Sequence, residues 1–133
     1  MGVKIKIRGY HTDLYQHVNN ARYLEFLEEA RWQLVEECFD LDAFLKSGLS
    51  FFVANVNISY RSPAKVNDII LIKSGLSKIS SRSAVFRQEI TNTTTGKICI
   101  EADITFVIAD ATGKAITLTG DIEDALSKIP DIQ

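Results

Sequence analysis

The chain has 133 residues, enough for one domain with a sizeable core and too few for two. Apolar residues make up 46% and charged residues 24%, which excludes a disordered or membrane-embedded chain on composition. The formal charge of −2 is spread over the sequence with no basic stripe, so nucleic acid is not an expected partner.

The first segment, "VKIKIR" (Val3 to Arg8), alternates apolar and basic residues at period two and predicts a half-buried strand. It lacks the apolar run of a signal peptide, and with Cys38 and Cys99 far apart and outside any CxxC pair, a cytoplasmic protein with two core thiols is expected. Neither a disulfide nor a metal site is indicated. From Ala21 the period changes to three and four: Tyr23, Phe26, Leu27, Ala30, Leu34 and Cys38 form a stripe that Leu24 and Val35 widen. Glu25, Glu29, Glu36 and Glu37 point elsewhere, and the pattern predicts a helix of about five turns. Asn19 and Asn20 stand where its N-terminal cap belongs.

After Gly48 strand follows strand. In "FFVANVNISYR" the alternation places Phe52, Ala54, Val56, Ile58 and Tyr60 on one face and Asn55, Asn57, Ser59 and Arg61 on the other. The second face is too polar for core and too uncharged for ordinary surface; it suits either a subunit contact or the wall of a site. "IILIKSGLSKI", "SAVFRQEIT" and "KICIEADITFVIA" follow, linked by "SSR" and "NTTTG". A short apolar segment "KAITL" comes after the turn "DATG", and "GDIEDALSKI" predicts a short terminal helix. A strand, a long helix and then four or more closely spaced strands predict an α+β domain spanning residues 1–133. A curved antiparallel sheet wraps its single long helix.

The segment before the helix is the least ordinary. "YHTDLYQHVNN" crowds two histidines, an aspartate and two asparagines together, and Asp13 has no neighbouring glycine or proline to mark it as plain turn chemistry. Tyr10 to Arg31, "YHTDLYQHVNNARYLEFLEEAR", resembles the signature of the 4-hydroxybenzoyl-CoA thioesterase family: an aspartate in a "TD" pair ahead of "HVNNxxYxxxxExAR". "NVNISYRSPAKVND" and the strands after it resemble the same family, so the likeness covers the whole chain. The wording comes nearest to its bacterial long-chain acyl-CoA thioesterase branch. The resemblance implies a hot-dog fold and hydrolysis of an acyl-CoA substrate without metal or cofactor. It also implies a homodimer or homotetramer whose active sites lie between two subunits.

On that resemblance Asp13 is the catalytic carboxylate, acting as nucleophile or as general base toward water. The alternatives for Asp13 are a turn cap or a partner for a basic side chain. The Asn20 amide at the helix N-terminus is the expected oxyanion donor, a group worth roughly 3 to 4 kcal/mol in other hydrolases. His17 either orients Asp13, touches substrate or is structural, and His11 is expected to be structural.

Glu28 and Arg31, three apart on the helix, read as a surface ion pair, with an acyl-pocket role for Glu28 as the alternative. Tyr23 and Phe26 are core residues that also suit an acyl tunnel. Lys78, Ser81, Arg82 and Ser83 surround a tight strand connection where related enzymes hold the nucleotide end of CoA, although lysine and serine are commonplace in solvated turns. Arg61 is a further phosphate candidate or a partner for an acid. Two other functions suit the same fold: a hydroxyacyl dehydratase, whose carboxylate generally lies within the central helix, and a non-catalytic acyl-CoA or lipid-binding module.

Overall fold

A computed structural model describes residues 2–132. Five strands form one antiparallel sheet: β1 (Val3–Lys6), β2 (Ser50–Tyr60), β3 (Ile69–Ile79), β4 (Ala84–Asn92) and β5 (Lys97–Ala109). Their spatial order is β1-β3-β4-β5-β2. The long helix α1 (Asn20–Cys38) lies on one face of the sheet, as its stripe requires, and buries Tyr23, Phe26, Leu27, Ala30 and Val35. The sheet answers with period-two burial. Ala84, Phe86, Gln88, Ile90 and Asn92 face the helix from β4, and Ile100, Ala102, Ile104, Phe106 and Ile108 from β5. The α+β architecture is the one expected.

Several local expectations change. The first strand stops at Lys6 and is followed by a 3-10 turn, Gly9–His11. A six-residue helix, α2 (Leu41–Lys46), was not expected; Asp40 caps it by accepting the Ala43 N–H, and Phe44 plugs it into the core. The apolar segment after "DATG" is joined to β5 by an isolated bridge, Ala115 to Ala109, and its Leu118 N–H donates to the Ser81 carbonyl. The terminal helix α3 (Gly120–Ser127) forms as expected, with Asp121 and Glu123 in its first turn. Beyond it, the tail crosses β3 at Gly75, where any Cβ would collide with the Ile132 backbone, and Leu76 N–H donates to the Pro130 carbonyl.

The alternation assigned to β2 needs correcting. The register slips between Val53 and Asn55, leaving Ala54 as the extra residue of a bulge. Val56, Ile58 and Tyr60 sit opposite the buried Ile104, Ala102 and Ile100, on the helix side of the sheet. Ahead of the bulge the phase reverses: Phe51 and Val53 oppose Ile108 and Phe106, while Phe52 opposes Val107 on the outer face beside Asn55, Asn57 and Ser59. One extra residue moves the preceding side chains to the other face, because the strand period is two. β2 is also an edge of the sheet, and six consecutive residues from Phe52 to Asn57 are exposed.

Candidate active site

The residues between the 3-10 turn and α1 fold back on themselves. Thr12 bridges Val18, Asp13 N–H donates to the His17 carbonyl, and Gln16 N–H donates to the Asp13 carbonyl at 2.9 Å. The Asp13 carboxylate accepts the Tyr15 N–H at 2.9 Å, and Gln16 takes a φ of 63°. This is an Asx turn, so Asp13 does cap a turn, as its structural alternative has it. The turn occupies one carboxylate oxygen and presents the group at the surface, flanked by Leu14 and Tyr15 at 89% and 77% exposure.

His11 anchors this loop. It is buried, its ring lies edge-on to Tyr10 and Phe26, and its Nδ1 accepts the Arg8 N–H at 2.9 Å. Burial, then the nearby Arg22 and Arg8, hold its pKa below the usual histidine range. His17 is half-buried and touches Asp13 only through its backbone carbonyl. Among the described residues no hydrogen bond joins its imidazole to the carboxylate.

Asn19 caps α1: its side chain accepts the Ala21 N–H at 2.9 Å. Asn20 is the first helical residue, and its side chain takes no part in the cap. Its N–H donates to no other described residue, and its carbonyl accepts the Tyr60 hydroxyl at 3.3 Å. A free amide with the helix dipole behind it is a donor for developing negative charge. Tyr23 is a core residue: it is 3% exposed, its hydroxyl accepts the Ala64 N–H at 3.2 Å, and burial, with Cys99 next in importance, pushes its pKa up to about 12. Phe26 is buried beside it.

The pair assigned to Glu28 and Arg31 is not formed. Arg31 turns inward and donates to the Gln88 Oε1 at 3.0 Å, while Glu28 accepts the Trp32 indole N–H at 3.4 Å. Burial lowers the Arg31 pKa and the nearby Glu28 opposes that shift. Both line a cleft of about 260 Å³ between α1 and β2, together with Trp32, Phe51, Phe86 and Phe106. Gln88 was not anticipated. The signal was present, since it holds a buried-phase position between the apolar Phe86 and Ile90 on β4.

Arg61 pairs with Glu101 at 3.0 Å on the outer face, next to Arg87, Glu89 and Asp103. Lys78, Ser81, Arg82 and Ser83 do gather at the β3–β4 connection, where Ser80 N–H donates to the Ser83 carbonyl. Lys78, Ser81 and Arg82 are exposed and Ser83 is half-buried. These residues do not meet Asp13. Asp13 lies at the Ile69 end of β3, where His17 bridges Lys65 and Lys6 pairs with Ile69, and the connection is a strand-length away, about 30 Å.

A curved antiparallel sheet on one long helix, with an aspartate turn and a free amide at the helix start, defines a hot-dog domain. Residues 7–132 match the family described as the thioesterase-like superfamily, and the chain belongs to it. It is 44% identical over 130 residues to the long-chain acyl-CoA thioesterase FadM of Escherichia coli K12, covering 97% of this chain and 98% of that one. The acyl-CoA thioester hydrolase YbgC of Escherichia coli O6:H1 is 28% identical over 107 residues, 78% of this chain and 79% of its own. Among solved structures, the probable thioesterase YbaW from Escherichia coli superposes with a TM-score of 0.87 at 45% identity, covering 95% of this chain and 96% of that chain.

Proposed function

We propose that this chain hydrolyses acyl-CoA thioesters, long-chain ones preferentially, to the free acid and CoA. The observation that carries this is the 44% identity, over nearly the whole chain, to a named long-chain acyl-CoA thioesterase. The geometry at the start of α1 supports it. Asp13 either attacks the carbonyl carbon, giving an anhydride that water then cleaves, or takes a proton from the water that attacks. In both routes the thiolate leaves as CoA, and the carbonyl oxygen, negative in the tetrahedral state, accepts the free Asn20 N–H.

A second copy completes the site in this proposal. In one chain the Asp13 carboxylate is open to water, which weakens it as base or nucleophile, and the apolar Leu14 and Tyr15 beside it await a cover. The free edge of β2 offers an eleven-residue strand for pairing. Arg82 and Lys78 stand about 30 Å from Asp13 along β3, so they would serve CoA phosphates bound to the partner's site. His17 would contribute by shaping the turn. Arg61, already paired with Glu101, is the weaker phosphate ligand. A cytoplasmic setting is consistent with two unpaired cysteines, of which Cys99 is buried.

The test is thiol release from a series of saturated acyl-CoAs, compared with matched thioesters that lack the nucleotide. Turnover rising with acyl length is expected, and Arg82→Ala should raise KM for CoA substrates several-fold while leaving the nucleotide-free series unchanged. Absence of thiol release from every acyl-CoA would refute the proposal, and equal losses on both series would remove Arg82 from phosphate binding.

A further inference from the structure

α1 leaves part of its flank uncovered beside β2. Tyr60 touches Asn20 at the start of the helix, and Phe51 meets Trp32, with ring centroids 6.4 Å apart, three turns later. The strand therefore runs antiparallel beside the helix. Between those contacts Leu24, Val56 and Val53 are 42%, 42% and 50% exposed, although Val56 and Val53 lie on the helix-facing side of the sheet. An apolar strip thus leads from the free Asn20 amide to the cleft that holds Glu28 and Arg31. Its occupant in this reading is the substrate's acyl chain, because one end of the strip is the donor for the thioester oxygen and the other is an aromatic cavity.

The far end is not purely apolar. Gln88 is fully buried, and its Nε2 donates to the Leu27 carbonyl at 2.9 Å and to the Ser74 hydroxyl at 2.8 Å. Those two bonds fix the amide so that Oε1 faces Arg31 and holds its guanidinium in the cleft. Arg31 has no carboxylate within ion-pair distance among the described residues, and its remaining N–H groups are available to a ligand. Glu28 lines the same cleft, so the two charges offset one another and a neutral group that both donates and accepts fits better than a carboxylate. A hydroxyl is the simplest such group.

Arg31 follows Asn20 by about three helical turns, roughly 16 Å. An extended chain advances roughly 1.2 Å per bond, so about fourteen bonds span that distance. Building on the thioesterase activity proposed above, we propose that Arg31, held by Gln88, selects long acyl chains that carry a hydroxyl near their far end.

The experiment compares kcat/KM for tetradecanoyl-CoA and ω-hydroxytetradecanoyl-CoA, with octanoyl-CoA and ω-hydroxyoctanoyl-CoA as the pair too short to reach Arg31. The expected result is a preference of about tenfold for the hydroxylated long chain, expressed mainly in KM, and none within the short pair. Arg31→Met should abolish the preference and Gln88→Leu should reduce it. Arg31→Lys, which keeps the charge but loses the planar fork, provides a second variant should the methionine protein not fold. A wild-type hydroxyl preference near one, or a preference unchanged in these variants, overturns the inference while leaving the hydrolase intact; it would mean that a second copy covers the strip or that the acyl chain lies elsewhere. If the wild-type protein cleaves neither long substrate, the thioesterase proposal itself falls.

Discussion

Asp13 and Tyr23 sit ten residues apart and illustrate opposite uses of a polar side chain. Tyr23 is buried with its hydroxyl accepting the Ala64 N–H, so ionising it would place a charge in the core beside Cys99. Its folded pKa, raised to about 12, exceeds the unfolded value near 10. The stabilisation is therefore complete below about pH 10 and is lost as pH climbs through about 12, at up to roughly 1.4 kcal/mol per pH unit. Melting temperatures measured from pH 9 to 12 should fall steeply in the wild type and less in Tyr23→Phe. Parallel decline in the two proteins would deny Tyr23 this role. Asp13, by contrast, is exposed and held by its own backbone. Its type and place were legible from the "TD…HVNN" wording, and so was turn capping as an alternative; the way the loop folds back to His17 was not, because the positive φ falls on Gln16, a residue type that does not advertise it.

At the level of elements, the helix was easy to read because its stripe and its cap agree. Asn19, not Asn20, closes the first turn, which leaves the Asn20 amide free. Asn19→Ala should lower stability by about 1 kcal/mol, or about 4 °C in melting temperature for a domain of this size. It should also lower kcat more than it raises KM, since the disturbed turn presents the Asn20 amide proposed as the oxyanion donor. A destabilised variant with unchanged kcat would separate the cap from catalysis. β2 was harder. Its alternation is clean in sequence, and only hydrogen-bonded register reveals that Ala54 is a bulge, so Phe52 lies on the outer face and not with Val56. Leu24, placed by periodicity in the core stripe, remains 42% exposed because the neighbouring β2 is an edge strand and leaves that side of α1 open. Arg31 was misassigned for a related reason. Spacing on a helix identifies possible surface pairs, but a buried acceptor such as Gln88, fifty-seven residues away in sequence, competes for the guanidinium.

Over the whole molecule, two groups of expected site residues lie at opposite ends of one sheet. Asp13, His17 and Asn20 cluster where β3 begins, and Lys78, Ser81, Arg82 and Ser83 where it ends. Sequence order conceals that separation, because proximity across a sheet depends on strand direction; the topology exposes it and motivates a site shared between two copies. The proposed chemistry nevertheless depends most on a single carboxylate. The decisive measurement is kcat for thiol release from tetradecanoyl-CoA by purified Asp13→Asn, with its melting temperature recorded alongside. A loss of at least about a hundredfold in a protein that melts like the wild type is predicted. Near-wild-type turnover by that variant would contradict the role assigned to Asp13.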